Sequence, residues 1–340
     1  MPIVVNSNSS ATSASFNLSR ANDSLRKSLG RLSSGNRINS PADDAGGLAV
    51  ATKLDAKLNR TEAVIQNAQN SLSFLQVQDG ALATVGKVLD RMSELRTMAQ
   101  DITKNSGDIE NYSKEFLELQ SQLNQVKQEK FNGISLFAQN GHRDPNNDFN
   151  GNITVNGSYT DVDGVVQTYT KFGRTLHTSA NGQVADGSIS VNVVNLEFVL
   201  TFGELAKAGG NFVAGHSHNL GGFNDDPANA NGNKAATAGI NSDNYISNIL
   251  NVSVKNFTEV IERLADMRAE NGAEQNRVMN SIELLQTNMT NLEAAHGRIM
   301  DADIALESTR FARHNVLVQA SAAMTAQANQ LTNVALQLLG

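Results

Sequence analysis

The sequence predicts a mainly α-helical fold with an inserted β-rich domain. Its N- and C-terminal segments build a nested, coiled-coil-like rod. Three observations carry this. Both chain ends hold apolar residues at helical spacing. The stretch from Asn39 to Asp44 reads as a helix start, followed by a long helical pattern. Between residues 139 and 244 the composition switches: this window, under a third of the chain, holds 15 of the 26 glycines.

The elements follow in order. Residues 1 to about 14 are rich in Ser and Asn and uncharged, and alone should be disordered. Leu18, Asn22, Leu25, Leu29 and Leu32 then step by four and three, which predicts a short helix with one apolar stripe. Gly35 is a helix stop. Ser40 fits the N-cap of the next helix, Pro41 its first position and Asp43 the third position of a capping box. The helical pattern from there runs to about Thr103, with Gly80 and Gly86 as points where it bends or breaks. Asn105 to Asp108 reads as a turn. Tyr112, Phe116, Leu119, Leu123 and Val126 mark an antiparallel helix, closed by Phe131-Asn132-Gly133 and a short strand from Ile134 to Phe137.

In the Gly-rich window, alternating runs predict strands at Ile153 and Val155, at Val166 to Thr170, and at Ile189 to Val193. Val194, Leu196, Phe198 and Leu200 alternate on the other parity, which predicts a bulge and more strand. From Phe257 to Ile299 apolar residues return on one helical register, with Asn271-Gly272 as a local defect. Asp301-Ala302-Asp303 introduces the last helix. The expected domains are residues 1–40 with 301–340, residues 41–138 with 245–300, and residues 139–244.

That last helix organises the chain. The 27 residues from His314 to Gly340 contain no Lys, Arg, Asp or Glu. Leu317, Met324, Leu331 and Leu338 stand seven apart, with Ala320, Gln327 and Val334 between them, as in the a/d seam of a coiled coil. The opposite face carries Gln319, Ser321, Thr325, Asn329 and Asn333. A solvated helix face normally bears charge, so this face should meet protein as well. The expectation is that the apolar rows of the two chain ends pair with each other and that other copies of the chain bury them.

Composition narrows the function. There is no Cys, so no disulfide or thiolate site. Net charge is −7 with no basic patch, which argues against nucleic acid. No apolar run is long enough for membrane insertion. Residues 1–19 lack the features of a cleavable signal. No enzyme constellation stands out, and no cofactor or metal site is expected. His216-Ser217-His218 is a weak metal candidate, and Asp161 to Gly164 resembles a fragment of a calcium loop better read as a turn.

The run Leu29-Gly30-Arg31-Leu32-Ser33-Ser34-Gly35-Asn36-Arg37-Ile38-Asn39-Ser40-Pro41-Ala42-Asp43-Asp44-Ala45-Gly46-Gly47-Leu48 resembles the N-terminal signature of the bacterial flagellin family. Phe131-Asn132-Gly133 resembles the family's turn. Ala326-Gln327-Ala328-Asn329-Gln330 through Leu338-Leu339 resembles its C-terminus. Gly46-Gly47 is a small departure from the family pattern, which has Ala-Gly-Leu after the paired Asp. The resemblance implies a structural subunit that polymerises head to tail into an extracellular flagellar filament for motility. It implies passage through the flagellar export apparatus with an export chaperone, and contact with hook-junction and cap proteins. Uncharged polar residues such as Ser321 and Thr325 would then suit the filament channel. Arg91, Leu95 and Glu115 fall where the family's contact with a host Toll-like receptor lies. The competing readings are a hook–filament junction protein of the same family and a secreted helical adhesin or translocator.

Overall fold

The computed structural model describes residues 8–138, 153–160, 166–202, 218–220, 223–224, 246 and 248–339. Their helices are α1 (Ser9–Ser34), α2 (Ala45–Ala99), α3 (Ser106–Lys127), α4 (Leu196–Leu200), α5 (Val254–Met300) and α6 (Ile304–Leu339). Their strands are β1 (Lys130–Phe131), β2 (Ile134–Ser135), β3 (Ile153–Thr160), β4 (Val166–His177), β5 (Ser188–Val193), β6 (Thr201–Phe202), β7 (His218–Asn219) and β8 (Phe223–Asn224). The chain divides into two compact units, Met1–Glu62 with Thr287–Gly340, and Ala63–Gln286. Helices α2 and α5 contribute residues to both.

In the first unit α1 and α6 run antiparallel. Helix α1 starts at Ser9, well before the predicted stripe, because Asn8 caps it: its side-chain oxygen accepts from the Ala11 N–H at 3.0 Å. Gly35 ends α1 with φ 74° and returns its N–H to the Arg31 carbonyl at 2.9 Å. A left-handed residue there is what a glycine C-cap supplies. The chain then bridges to the start of α6. The Ala302 N–H donates to the Gly35 carbonyl at 2.8 Å, and the Arg37 N–H to the Met300 carbonyl at 2.6 Å.

The predicted cap at Ser40 is corrected. Ser40 to Asp43 form a turn, in which the Asp43 N–H donates to the Ser40 carbonyl at 3.0 Å. Helix α2 begins four residues later, and its cap is Asp44: the Gly47 N–H donates to Asp44 Oδ1 at 2.8 Å. Pro41 therefore sits in the turn. Asp43 instead takes the Asn39 N–H at 3.3 Å and an ion pair with Lys27 at 2.5 Å. The α6 start behaves as expected, with Asp303 Oδ1 accepting from the Leu306 N–H at 3.1 Å.

In the second unit helices supply most of the core, joined by Leu176 of β4 and Ile189 and Val191 of β5. Leu75, Leu82, Leu89, Met92 and Leu95 of α2 are fully buried with Phe116 and Leu123 of α3 and Phe257 and Val260 of α5. Phe116 and Phe257 meet edge to face, with ring centres 6.2 Å apart. Asn105, expected in a turn, caps α3 in a full capping box with Asp108. Helix α2 continues through Gly80 and Gly86, and α5 through Asn271-Gly272. Gly86 lies where a Cβ would sit 3.4 Å from Leu264, so its role is close packing. Asn271 belongs to a buried amide relay. Gln275 donates to Asn271 at 2.5 Å, Asn271 to Gln78 at 2.7 Å, and Gln78 to the Leu136 carbonyl at 2.7 Å. The relay satisfies polar groups that burial would otherwise penalise.

β1 and β2 form a hairpin over Asn132 and Gly133, whose φ values of 50° and 79° are those a tight two-residue turn requires. β3, β4 and β5 make an antiparallel sheet in that order, and β6, β7 and β8 a second one of two-residue strands. The expected strand at 196–200 is corrected to α4. Asn195 caps it, accepting from the Phe198 N–H at 3.2 Å, and burial at Leu196, Val199 and Leu200 follows helical spacing. Residue 246 and the 248–252 stretch are held by side chains: Gln120 exchanges two hydrogen bonds with Ile246, and Arg96 donates to the Val252 carbonyl.

Candidate self-association surface

The α1–α6 pair is where the sequence placed its principal residues. On α1 the wholly or partly buried positions include Ala11, Ala14, Leu18, Ala21, Leu25, Ser28 and Leu32, stepping by three and four. On α6 they include Glu307, Phe311, His314, Val318, Ser321, Thr325 and Ala328, with the same step. This is a heptad seam with many small side chains, which lets two helices approach closely.

Leu18, Leu25 and Leu32 lie on this row. Leu29 does not: Ser28 takes the seam and Leu29 is 54% exposed. On α6 the correction is larger. The row facing α1 is displaced by one residue from the predicted row, so Leu317 and Met324 are left 46% and 64% exposed. Ser321 and Thr325 lie partly buried on the row that faces α1. Glu307 lies on the same heptad row as His314, Ser321 and Ala328, and that row brings it to Ser28 and Arg31 on α1. Leu331, Val334 and Leu338 belong to α6, and their side chains lie outside the described residues.

Glu307 is only 3% exposed. Its Oε2 lies 3.2 Å from Arg310 and 4.0 Å from Arg31. Burial pushes its pKa up, but the Ser28 hydroxyl, Arg310 and Arg31 outweigh that and hold it below the usual glutamate value. Lys27 holds Asp43 below the usual aspartate value. The sequence reading missed Glu307 and Lys27. The available signal was one acid on an otherwise uncharged heptad row.

The stretch near Arg91 lies in the second unit. Arg91 spans Glu115 and Glu94, at 2.7 Å each, and these carboxylates raise the pKa of its guanidinium above its ordinary value. Leu95 is fully buried. The expectation that all three residues offer a direct contact is thus corrected: Arg91 and Glu115 reach the surface as an ion pair, and Leu95 packs the core beneath. Among the described residues no group of three His, Asp or Glu comes together in a way that could hold a metal. His216 and Ser217, and the Asp161 to Gly164 stretch, lie outside the described residues. No described helix is long and apolar enough to cross a membrane.

Charge-poor paired ends and a helical core define a structural class of helical protein. Comparison with known proteins makes this specific. Residues 5–142 match the bacterial flagellin N-terminal helical region, and residues 254–339 match the flagellin C-terminal helical region. The chain belongs to the bacterial flagellin family, and is a structural subunit of the flagellar filament. It is 32% identical to a flagellin of Bacillus subtilis, over 98% of this chain and 99% of that protein. It is 27% identical to the flagellar filament 33 kDa core protein of Treponema phagedenis, over 99% of this chain and all of that one. A crystal structure of Bacillus cereus flagellin aligns with a TM-score of 0.37 at 16% identity, covering 68% of this chain and 94% of that one.

Proposed function

We propose that copies of this chain polymerise head to tail, and that the row Leu317–Met324 of α6 is buried between copies. The observation that carries this is the open row itself. The α1–α6 pair closes its own seam without Leu317 and Met324 and leaves both exposed. Removing Leu317 and Met324 from water favours contact by about 1 kcal/mol each. The sequence continues the row to Leu331 and Leu338. A heterologous contact of this kind, with a rotation that does not close, gives an open helical polymer.

In this reading residues 1–40 and 301–340 form the polymerisation core, residues 41–138 and 245–300 the surrounding rod, and residues 139–244 the outward domain. The polymer is extracellular. The chain reaches it through the flagellar export apparatus with an export chaperone, and meets hook-junction and cap proteins at its two ends. A host Toll-like receptor that contacts this chain meets Arg91 and Glu115 already paired.

Leu317→Asp and Met324→Asp test the reading, because both side chains are exposed in the single chain. Each should abolish filaments, seen by electron microscopy, while the thermal melting of the Ala63–Gln286 unit stays unchanged. Filaments at wild-type protein concentration in either variant would contradict it.

A further inference from the structure

The chain has eight methionines and no cysteine, so methionine sulfur is its main site for mild oxidation. Burial sorts these sulfurs. Met92 and Met267 are buried, Met98, Met289 and Met300 partly buried, and Met279 is 45% exposed. Met324, at 64%, is the most exposed of those whose side chains are described. It is also the one placed on the open apolar row, seven residues from Leu317.

We infer that the Met324 thioether is an oxidation site, accessible in the unassembled copy, that governs whether that copy can join a polymer. The reactant is a hydroperoxide such as hydrogen peroxide. One peroxide oxygen bonds to Sδ as the O–O bond breaks. The sulfur loses two electrons and becomes a sulfoxide, and the peroxide is reduced to water. A flexible apolar side chain thereby becomes a polar one with a strong acceptor oxygen. On a row buried between copies, that oxygen loses water without gaining a donor. The same burial shields the sulfur once a copy has assembled. The inference rests on the reading of Leu317–Met324 as an inter-copy row.

The test uses purified full-length chain treated with hydrogen peroxide, peptide mass spectrometry to locate the oxygen, and elongation from filament seeds followed by light scattering. Each protein is compared with its own untreated rate. Wild type with Met324 converted should elongate about tenfold more slowly, the factor for losing one modest apolar contact. Met279→Leu should show the same loss, and Met324→Leu should retain its untreated rate within about twofold, the precision such an assay needs to resolve a tenfold effect. In preformed filaments Met324 should be protected while Met279 is still oxidised. Unchanged elongation of wild type carrying the Met324 sulfoxide would overturn the inference. So would equal peroxide sensitivity in Met324→Leu. If Met324→Asp blocks assembly while the sulfoxide does not, the inter-copy row stands and only the oxidation site falls. If Met324→Asp assembles normally, both fall.

Discussion

The side-chain amide of Asn8 donates to the Ala328 carbonyl at 2.9 Å, joining residues 320 positions apart. The oxygen of the same amide caps α1. One residue thus starts the first helix and ties it to the last. Asn8→Ala removes both bonds and should destabilise the pair by about 1 kcal/mol or slightly more. Asn8→Asp keeps an acceptor, favoured by the helix dipole, but loses the donor. Hydrogen exchange in assembled protein separates the two roles. Asn8→Asp should protect residues 9–14 and expose residues 325–331, whereas Asn8→Ala should expose both.

The adjacent glycines Gly46 and Gly47 should respond in opposite ways. A Cβ at Gly46 meets nothing closer than Asp44 Oδ1 at 3.6 Å. One at Gly47 falls 2.4 Å from Asp44 Oδ2 and 2.9 Å from Ile38 Cδ1. Gly46→Ala should raise helix stability by about 0.5–1 kcal/mol. Gly47→Ala should push the Asp44 cap away and cost about 1 kcal/mol. Thermal melting of the two variants should bracket that of wild type.

The amide relay should show strong coupling. Gln78 and Asn271 are both almost wholly buried. Gln78→Ala or Asn271→Ala alone strands the partner's polar atoms, at about 1–3 kcal/mol each. The double variant strands fewer, so its loss should fall short of the sum by about 1 kcal/mol or more. Denaturant unfolding supplies the three values.

Glu307 sets a direction with pH. Its folded pKa is lowered, so its contribution is present above the unfolded glutamate value of about 4.3. That contribution is lost as pH falls through the lower folded value. Asp43 has the same sign. The α1–α6 pair should therefore loosen on acidification below about pH 4. Glu307→Gln should be weaker at neutral pH and flatter through the acid range. Circular dichroism of filaments across a pH series reports both.

What was legible in the sequence follows from how each signal arises. The long helices were readable because apolar spacing repeats over many turns, and the tight turn at Asn132-Gly133 because few residues adopt its dihedrals. The α2 cap was misread because Ser40-Pro41 and Asp44 each offer a valid start, and only the competing ties of Asp43 to Asn39 and Lys27 decide between them. Leu196 to Leu200 carried alternation enough for a strand, yet Asn195 capped a helical turn. The α6 face was shifted by one residue because the sequence shows which row is most apolar, not which row α1 selects. The observed row brings Glu307 to Ser28 and Arg31, contacts between residues far apart in the chain.

The central claim is that this chain's ends are completed by other copies of itself. Electron microscopy of the purified protein at rising concentration, beside a version lacking His314–Gly340, addresses it most directly. Full-length protein should form long tubes above a threshold concentration, and the shortened one should remain single copies with the Ala63–Gln286 unit folded. Long filaments from the shortened protein, or none from the full-length chain at any concentration, would contradict the account.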